Sequence, residues 1–508
     1  MRPLGVLNLG ARMTVFTVTS QAQLDSALMQ LKSGDTVQLG AGAYSFVLSS
    51  KPFTSNVTIT SLDPANPARL SWLKLTDTSN ITFKNLEVGR SLGSTETIDS
   101  SLSKVNGGSN ITFDTVHFHG SMDGNPSNDG TGITFGGVNG IKLINSEFEQ
   151  LGRGAVFGSS TNITVANNSF HDIRSDGIDF AAVTNVLIDG NHFTNFSRIS
   201  SDHPDAIQFW TTNTSRPSTD IAIRNNVILE GNGSGLQGIF MRDEVGTLPY
   251  ERVTIENNLV YETNMSNGIT VMGGKDITIR GNTVLSPNED TVPVWIRVES
   301  VTNGTVTKNL TDKFYTGAIT NVSITDNLLT ASSGLSSSIL SFANLASMTT
   351  SQLYVSGYGY TAPSSSGSTT GGTTGGTTTT TDPTTTTGGT TTTDGSGSTS
   401  GGTTTDGSGS TSGGTTTTKP GKAKGRKSAL TAKTSLTSTD YSSYFSAGTL
   451  SDALPELQSS NTRVTRTPVT SSASAKALRS TVKTAAYFTS PSTTTHGFDL
   501  RRFLTFGH

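Results

Sequence analysis

One short alternating segment recurs through the first 345 residues with a drifting period, and this repetition constrains the fold more than any other feature. It reads NVTITSL from Asn56, NITFKNLEV from Asn80, NITFDTVHF from Asn110, GIKLINSEF from Gly140, NITVANNSF from Asn162 and NVLIDGNHF from Asn185. It continues as DIAIRNNVI from Asp220, RVTIENNLV from Arg252, DITIRGNTV from Asp276, NGTVTKNLT from Asn303 and NVSITDNLL from Asn321, with starts 18 to 35 residues apart. Apolar and polar residues alternate, the period of a strand with one buried face. A period of this length that tolerates insertions is that of a solenoid, whose neighbouring units bury each other's apolar faces.

A second strand set lies between these segments: GITF from Gly132, GAVF from Gly154, GIDF from Gly177, AIQF from Ala206, GIFM from Gly238, GITV from Gly268 and PVWI from Pro293. Two or three strands per unit, turns of glycine and asparagine and the lack of helical periodicity predict an all-β chain, a right-handed parallel β-helix. Asn168, Asn191, Asn226, Asn258, Asn282, Asn309 and Asn327 share one register position. They are expected at a turn, in the left-handed region that asparagine tolerates, with each amide bonded to the next coil. Asn-x-Ser/Thr sequences such as those at Asn162 and Asn321 are read as coil corners. The open end of the stack needs a cover, and Ser20–Lys32 supplies an amphipathic helix with Leu24, Ala27, Leu28 and Leu31 on one face.

Composition divides the rest. The expected β-helix spans 13–345; 360–418 is almost wholly Thr, Gly and Ser and is expected to be a disordered linker; 419–508 is a basic tail, expected to be mostly disordered. Lys and Arg number 22 against 31 Asp and Glu over residues 1–355, but 13 against 4 over 419–508. A net charge of −3 therefore averages an acidic body and a basic end. The run Lys419–Lys427, KPGKAKGRK, suits an anionic surface or polymer, whereas nucleic acid is not expected as a partner of the acidic body. With no cysteine, disulfides and thiolate chemistry are excluded. No apolar run is long enough for a transmembrane helix, and the first residues lack a clear cleavable signal sequence.

In a β-helix inward positions are core, so chemistry falls to outward ones stacked coil on coil. With the second strand set aligned on its first residues, the pairs Ile178/Phe180, Ile207/Phe209 and Val294/Ile296 point inward. Outward rows then hold Thr131, Arg153, Asp176, Asp205, Gln237 and Asn267; Thr134, Val156, Asp179, Gln208, Phe240, Thr270 and Trp295; and Trp210, Arg242, Met272 and Arg297. The densest cluster, SRISSDHPDAIQFW, adds Arg198, Asp202 and His203. Successive coils are about 4.8 Å apart, so Asp176 and Asp205 are neighbours. Such a pair raises one pKa or binds a cation, for which calcium is the expected ion. Asp179, Gln208, Trp210, Arg242, Trp295 and Arg297 form the expected substrate surface, since aromatic faces suit sugar rings and arginine suits carboxylates. Tyr250 and Tyr261 are candidate acids.

The helical cap, the segment GDTVQLGAGAY after it and the many N-x-T-F/I coils resemble the pectate-lyase-like superfamily over residues 13 to 345. That superfamily includes polysaccharide lyases, mannuronan C5-epimerases, polygalacturonases and phage tailspikes. Asp202-His203-Pro204-Asp205 is similar to the Asp-Pro-His-Glu catalytic stretch of the epimerases, with His and Pro exchanged and Asp in place of Glu. The resemblance implies His203 as the general base at a uronate C5, with Asp202, Asp205 and Asp176 completing the catalytic group. It also implies an acidic polysaccharide as partner and an extracellular or cell-surface location. Lyase or epimerase is the first expectation, a glycoside hydrolase built on paired aspartates the second, and a non-enzymatic adhesin or fibre the third.

Overall fold

Alternating segments satisfy their backbones by pairing with the equivalent segment one coil on, and the computed structural model shows that pairing throughout. It describes residues 13–199, 202–262 and 265–363, all within one structural unit. The linker expected over 360–418, beyond residue 363, and the basic tail of 419–508 lie outside the described residues.

Thirty strands among the described residues join in one continuous parallel assembly with three faces. The first face runs from Ala43–Ser49 through Arg153–Gly158, Ile178–Ala181, Asp205–Trp210 and Gln237–Arg242 to Lys313–Gly317. The second carries the N-x-T segments, from Val15–Val18 to Thr320–Ile324. The third holds short strands such as Glu147–Glu149, Ser169–His171 and His192–Thr194.

The core is built by like stacking on like. Phe135, Phe157, Phe180 and Phe209 lie at centroid spacings of 5.0, 4.8 and 4.6 Å under the first face. Phe118, Phe148, Phe170 and Phe193 lie at 4.6, 4.5 and 4.8 Å under the third. Each ring buried this way contributes about 1.5–3 kcal/mol, so a few aromatics per coil suffice.

The asparagine row forms the expected ladder, with a correction to its geometry. The amides of Asn168, Asn191, Asn226, Asn258 and Asn282 each donate to the side-chain oxygen of the next at 2.9 Å. The left-handed backbone, however, belongs to the residue before each: Asn167, Gly190, Asn225, Asn257 and Gly281. That turn points the following asparagine inward, where its amide replaces a backbone partner. Asn162 and Asn321 do occupy left-handed corners, at φ of 57° and 54°.

At one end Gln21–Gln30 forms the cap helix, with Ser20 accepting from the Gln23 N–H. Leu24, Ala27 and Leu28 join the main core, as does Leu31 just past the helix. Beyond the last strand the chain turns back, and Leu340, Leu345, Met348, Leu353 and Tyr360 pack on Leu259, Tyr261, Leu285 and Leu310 of the third face. This strap has no repeat pattern and was not expected from the sequence.

Candidate active site

Outward residues of the first face are stacked by strand register. Thr131, Arg153, Asp176, Asp205, Gln237, Asn267 and Trp295 follow one row, and Val156, Asp179, Gln208, Phe240, Thr270 and Arg297 the next. The expected alignment fails at its last member. A register shift at Asn267/Ile269 pairs Ile269 with Ile296 rather than Val294, and Val271 with Val298. Val294 and Ile296 do point inward as expected, both fully buried in the core, but the coil is offset against its neighbour. Trp295 therefore stands beside Asn267, and Arg297 beside Thr270 rather than Met272. The bulge adds one residue to one strand, which a single sequence read coil by coil does not reveal.

Asp176 and Asp179 flank Gly177, where a Cβ would come within 2.6 Å of the Ala206 carbonyl oxygen and 2.8 Å of the Phe193 ring. Glycine there lets two coils close up, and two carboxylates end beside the next coil. The Asp205 N–H donates to Asp176 Oδ1 at 3.0 Å. Arg153 Nε lies 3.0 Å from Asp176 Oδ2 and 3.3 Å from Asp179 Oδ2. His203 Nδ1 stands 3.6 Å from Asp205 Oδ2, an ion-pair distance rather than a hydrogen bond. Asp202 pairs with Arg174 at 3.4 Å.

Asp176, Asp179 and Asp205 are all but fully buried, while the His203 side chain is 45% exposed and forms the rim. Neither carboxylate oxygen of Asp179 or Asp205 has a hydrogen-bond partner. Burial pushes Asp205 up to about 7 and, with Asp176 beside it, lifts Asp179 well above the carboxylate range. The Asp205 carboxylate raises His203 to about 9 against the opposing effect of burial. Burial also raises Asp202. The cluster thus holds protons at neutral pH and presents one imidazole outward.

Calcium fits this group poorly. Both oxygens of Asp176 are engaged, by Arg153, Ser175 and the Asp205 N–H. What remains is the buried carboxylates of Asp179 and Asp205 and an imidazole nitrogen, although calcium takes six to eight oxygen donors. Arg153, absent from the expected site although its row already held it, supplies the compensating charge.

The other candidates are placed less uniformly. Gln208 sits beside Asp179 and is buried. Trp210 is 7% exposed and offers no open ring face, because it packs down beside Ala181. Arg242 is exposed and makes no ion pair among the described residues, since Asp243 and Glu244 bind Thr211 instead. Trp295 donates from its indole to Asn267 and lies 5.9 Å from Tyr315, over which Arg297 is placed at 4.7 Å. The candidate acids Tyr250 and Tyr261 are fully buried; Tyr250 donates to the carbonyls of Phe209 and Arg242, and Tyr261 belongs to the core under the strap. Glu262, buried with neither oxygen hydrogen-bonded, was not foreseen; a lone Glu after a strand gives no signal of burial.

A parallel coil with three faces, a stacked core and an outward row of ionisable groups defines a right-handed parallel β-helix protein. Residues 103–284 match the family model of a right handed beta helix region. Among solved structures the chain is similar to the Dettilon tailspike protein, at 15% identity over 59% of each chain with a TM-score of 0.43. It is also similar to an alginate lyase from Paenibacillus sp. str. FPU-7, at 14% identity over 61% of this chain and 98% of that one, with a TM-score of 0.36. A third is the family 28 exopolygalacturonase of Yersinia enterocolitica, at 15% identity over 62% and 78%, with a TM-score of 0.35. No curated protein sequence matches. No helix among the described residues is long and apolar enough to cross a membrane.

Proposed function

We propose that the chain binds an acidic, uronate-containing polysaccharide along its first face and removes the proton α to a uronate carboxylate, acting as a lyase or C5-epimerase outside the cell. The observation that carries this reading is the half-exposed His203 held against buried Asp205, on a face that also displays Arg242, Arg297 and Trp295. His203 Nδ1 faces Asp205, which leaves Nε2 for the substrate. Neutral His203 takes the C5 proton, and Arg242 stabilises the charge that moves onto the uronate carboxylate. Breaking of the C4–O4 bond as the C4=C5 double bond forms, with water protonating the departing O4, completes elimination, whereas delivery of a proton from water to the opposite face of C5 gives the epimer.

Arrangement as well as composition favours this over hydrolysis. Donor atoms of Asp176, His203 and Asp205 lie within 4.8 Å of one another, and Asp176 and Asp205 stack side by side on consecutive coils. Carboxylates that cleave a glycosidic bond stand opposed across the sugar.

A panel of alginate, pectate and glycosaminoglycans tests the proposal, read by ultraviolet absorbance of an unsaturated uronate and by deuterium entry at C5. Activity is expected with and without chelator, because Arg153 takes the place of a cation. No product and no exchange on any polymer overturns the reading.

A base held at about 9 is mostly protonated at neutral pH. The rate is therefore expected to climb about tenfold per pH unit through neutrality and level off near pH 9. Asp205→Asn removes the anion that lifts His203, so the inflection moves down by about two units towards the ordinary imidazole value. A pH–rate profile with the same inflection in both proteins excludes the His203–Asp205 pair as the titrating unit.

A further inference from the structure

On the third face, and sharing no residue with the first-face cluster, four of the five described histidines fall on adjoining coils. Strand pairing sets His117 beside Glu147, and His119 and His171 on either side of Glu149. His171 Nε2 lies 2.9 Å from Glu147 Oε1, and His117 Nε2 lies 3.1 Å from Glu149 Oε2. One donor atom from each of Glu147, Glu149 and His171 falls within 4.8 Å of the others. All four side chains reach solvent, so an ion has access.

We propose that Glu147, Glu149 and His171, with His117 as fourth donor, form a zinc site bridging three coils. Zinc bonds of about 2.0–2.2 Å in a tetrahedron put donors roughly 3.3 Å apart, close to the 2.9 and 3.1 Å of the His171–Glu147 and His117–Glu149 pairs, so that the remaining donors, His117 among them, close in by side-chain rotation as the ion enters. A separate feature orients the histidine. Asp172, in a left-handed turn at φ 55°, places Oδ2 2.7 Å from His171 Nδ1. A carboxylate on Nδ1 fixes that proton and turns the Nε2 lone pair outward, the arrangement that supports metal-ligating histidines. Glu147 and Glu149 carry two negative charges, and neutral imidazoles add none, so a divalent ion neutralises the donor set. The protons now shared between each Nε2 and its glutamate leave to solvent as the metal enters. Two imidazole nitrogens select zinc over calcium or magnesium.

Calorimetry of the full chain with zinc chloride tests this, with thermal unfolding as a second readout. Saturable binding is expected, accompanied by proton release and a rise in unfolding temperature, with no such response to calcium. His171→Ala is expected to weaken this binding at least tenfold, Glu147→Gln to weaken it less, and His203→Ala to leave it intact. His171→Ala alters a partly exposed side chain, so circular dichroism is expected to match wild type; Glu147→Gln gives a second assay that keeps the residue's shape. Absence of saturable binding, equal affinity in wild type and His171→Ala, or loss in His203→Ala alone overturns the site. The last result assigns the metal to the first face. Because the proposed site shares no residue with the uronate groove, its failure leaves that reading untouched.

Discussion

His203→Ala is expected to lower turnover of the uronate polymer by about 10²- to 10⁴-fold, the usual contribution of a positioned general base. The protein should remain folded. The side chain is 45% exposed, and its loss leaves Asp205 without a cationic partner, a change that a buried carboxylate absorbs by taking up a proton. The unfolding temperature is accordingly expected to move little, while initial rates collapse. Added imidazole, a free base of similar strength, is expected to restore part of the lost rate, which a residue acting only through packing does not permit. A rate within threefold of wild type places the chemistry elsewhere on the face.

The largest effect on stability is expected from Asn226→Ala. Asn226 is fully buried; its Oδ1 accepts from the Asn191 backbone N–H at 3.0 Å and from the Asn191 amide at 2.9 Å. Its own amide donates to the Ile188 carbonyl and to Asn258 Oδ1 at 3.1 and 2.9 Å. Truncation leaves these groups unpaired in a core without water, each at about 1–3 kcal/mol, so a total of about 3–5 kcal/mol is expected. A solenoid couples mainly neighbouring coils. Hydrogen exchange should therefore quicken first around residues 186–260 and leave the coils near the cap helix protected. Asn321→Ala provides the contrast. Its amide bonds Asn303 at an exposed left-handed corner, and the change is expected to cost only about 1 kcal/mol, the strain of alanine at φ 54°. Equal losses in the two variants refute a load carried by the buried row.

Both effects rest on features that the sequence shows with unequal clarity. The asparagine row is legible because seven successive coils, from Asn168 to Asn327, place the same residue at the same position. Its left-handed neighbour was not, because Asn167, Gly190, Asn225 and Gly281 vary in type and only their shared backbone angle marks the turn. Asp176, Asp179, Asp202, His203 and Asp205 were legible as a group because one strand register carries them. Arg153 stood in that register too, yet its pairing with two aspartates appears only once side chains have directions.

The sequence by itself determined the coil, its core and its cap, because strand alternation and the recurrence of like residues are local and repeat many times. Tertiary structure alone decided what lies off the repeat. The register shift at Asn267/Ile269 moved Trp295 and Arg297 within the face; the strap to Tyr360 closed the third face; and burial turned Trp210, Tyr250 and Tyr261 from candidate site residues into core. The physical reason is that protonation and exposure depend on neighbours from other coils. Asp205 near 7 and His203 near 9 come from packing and from each other, which spacing along the chain does not encode.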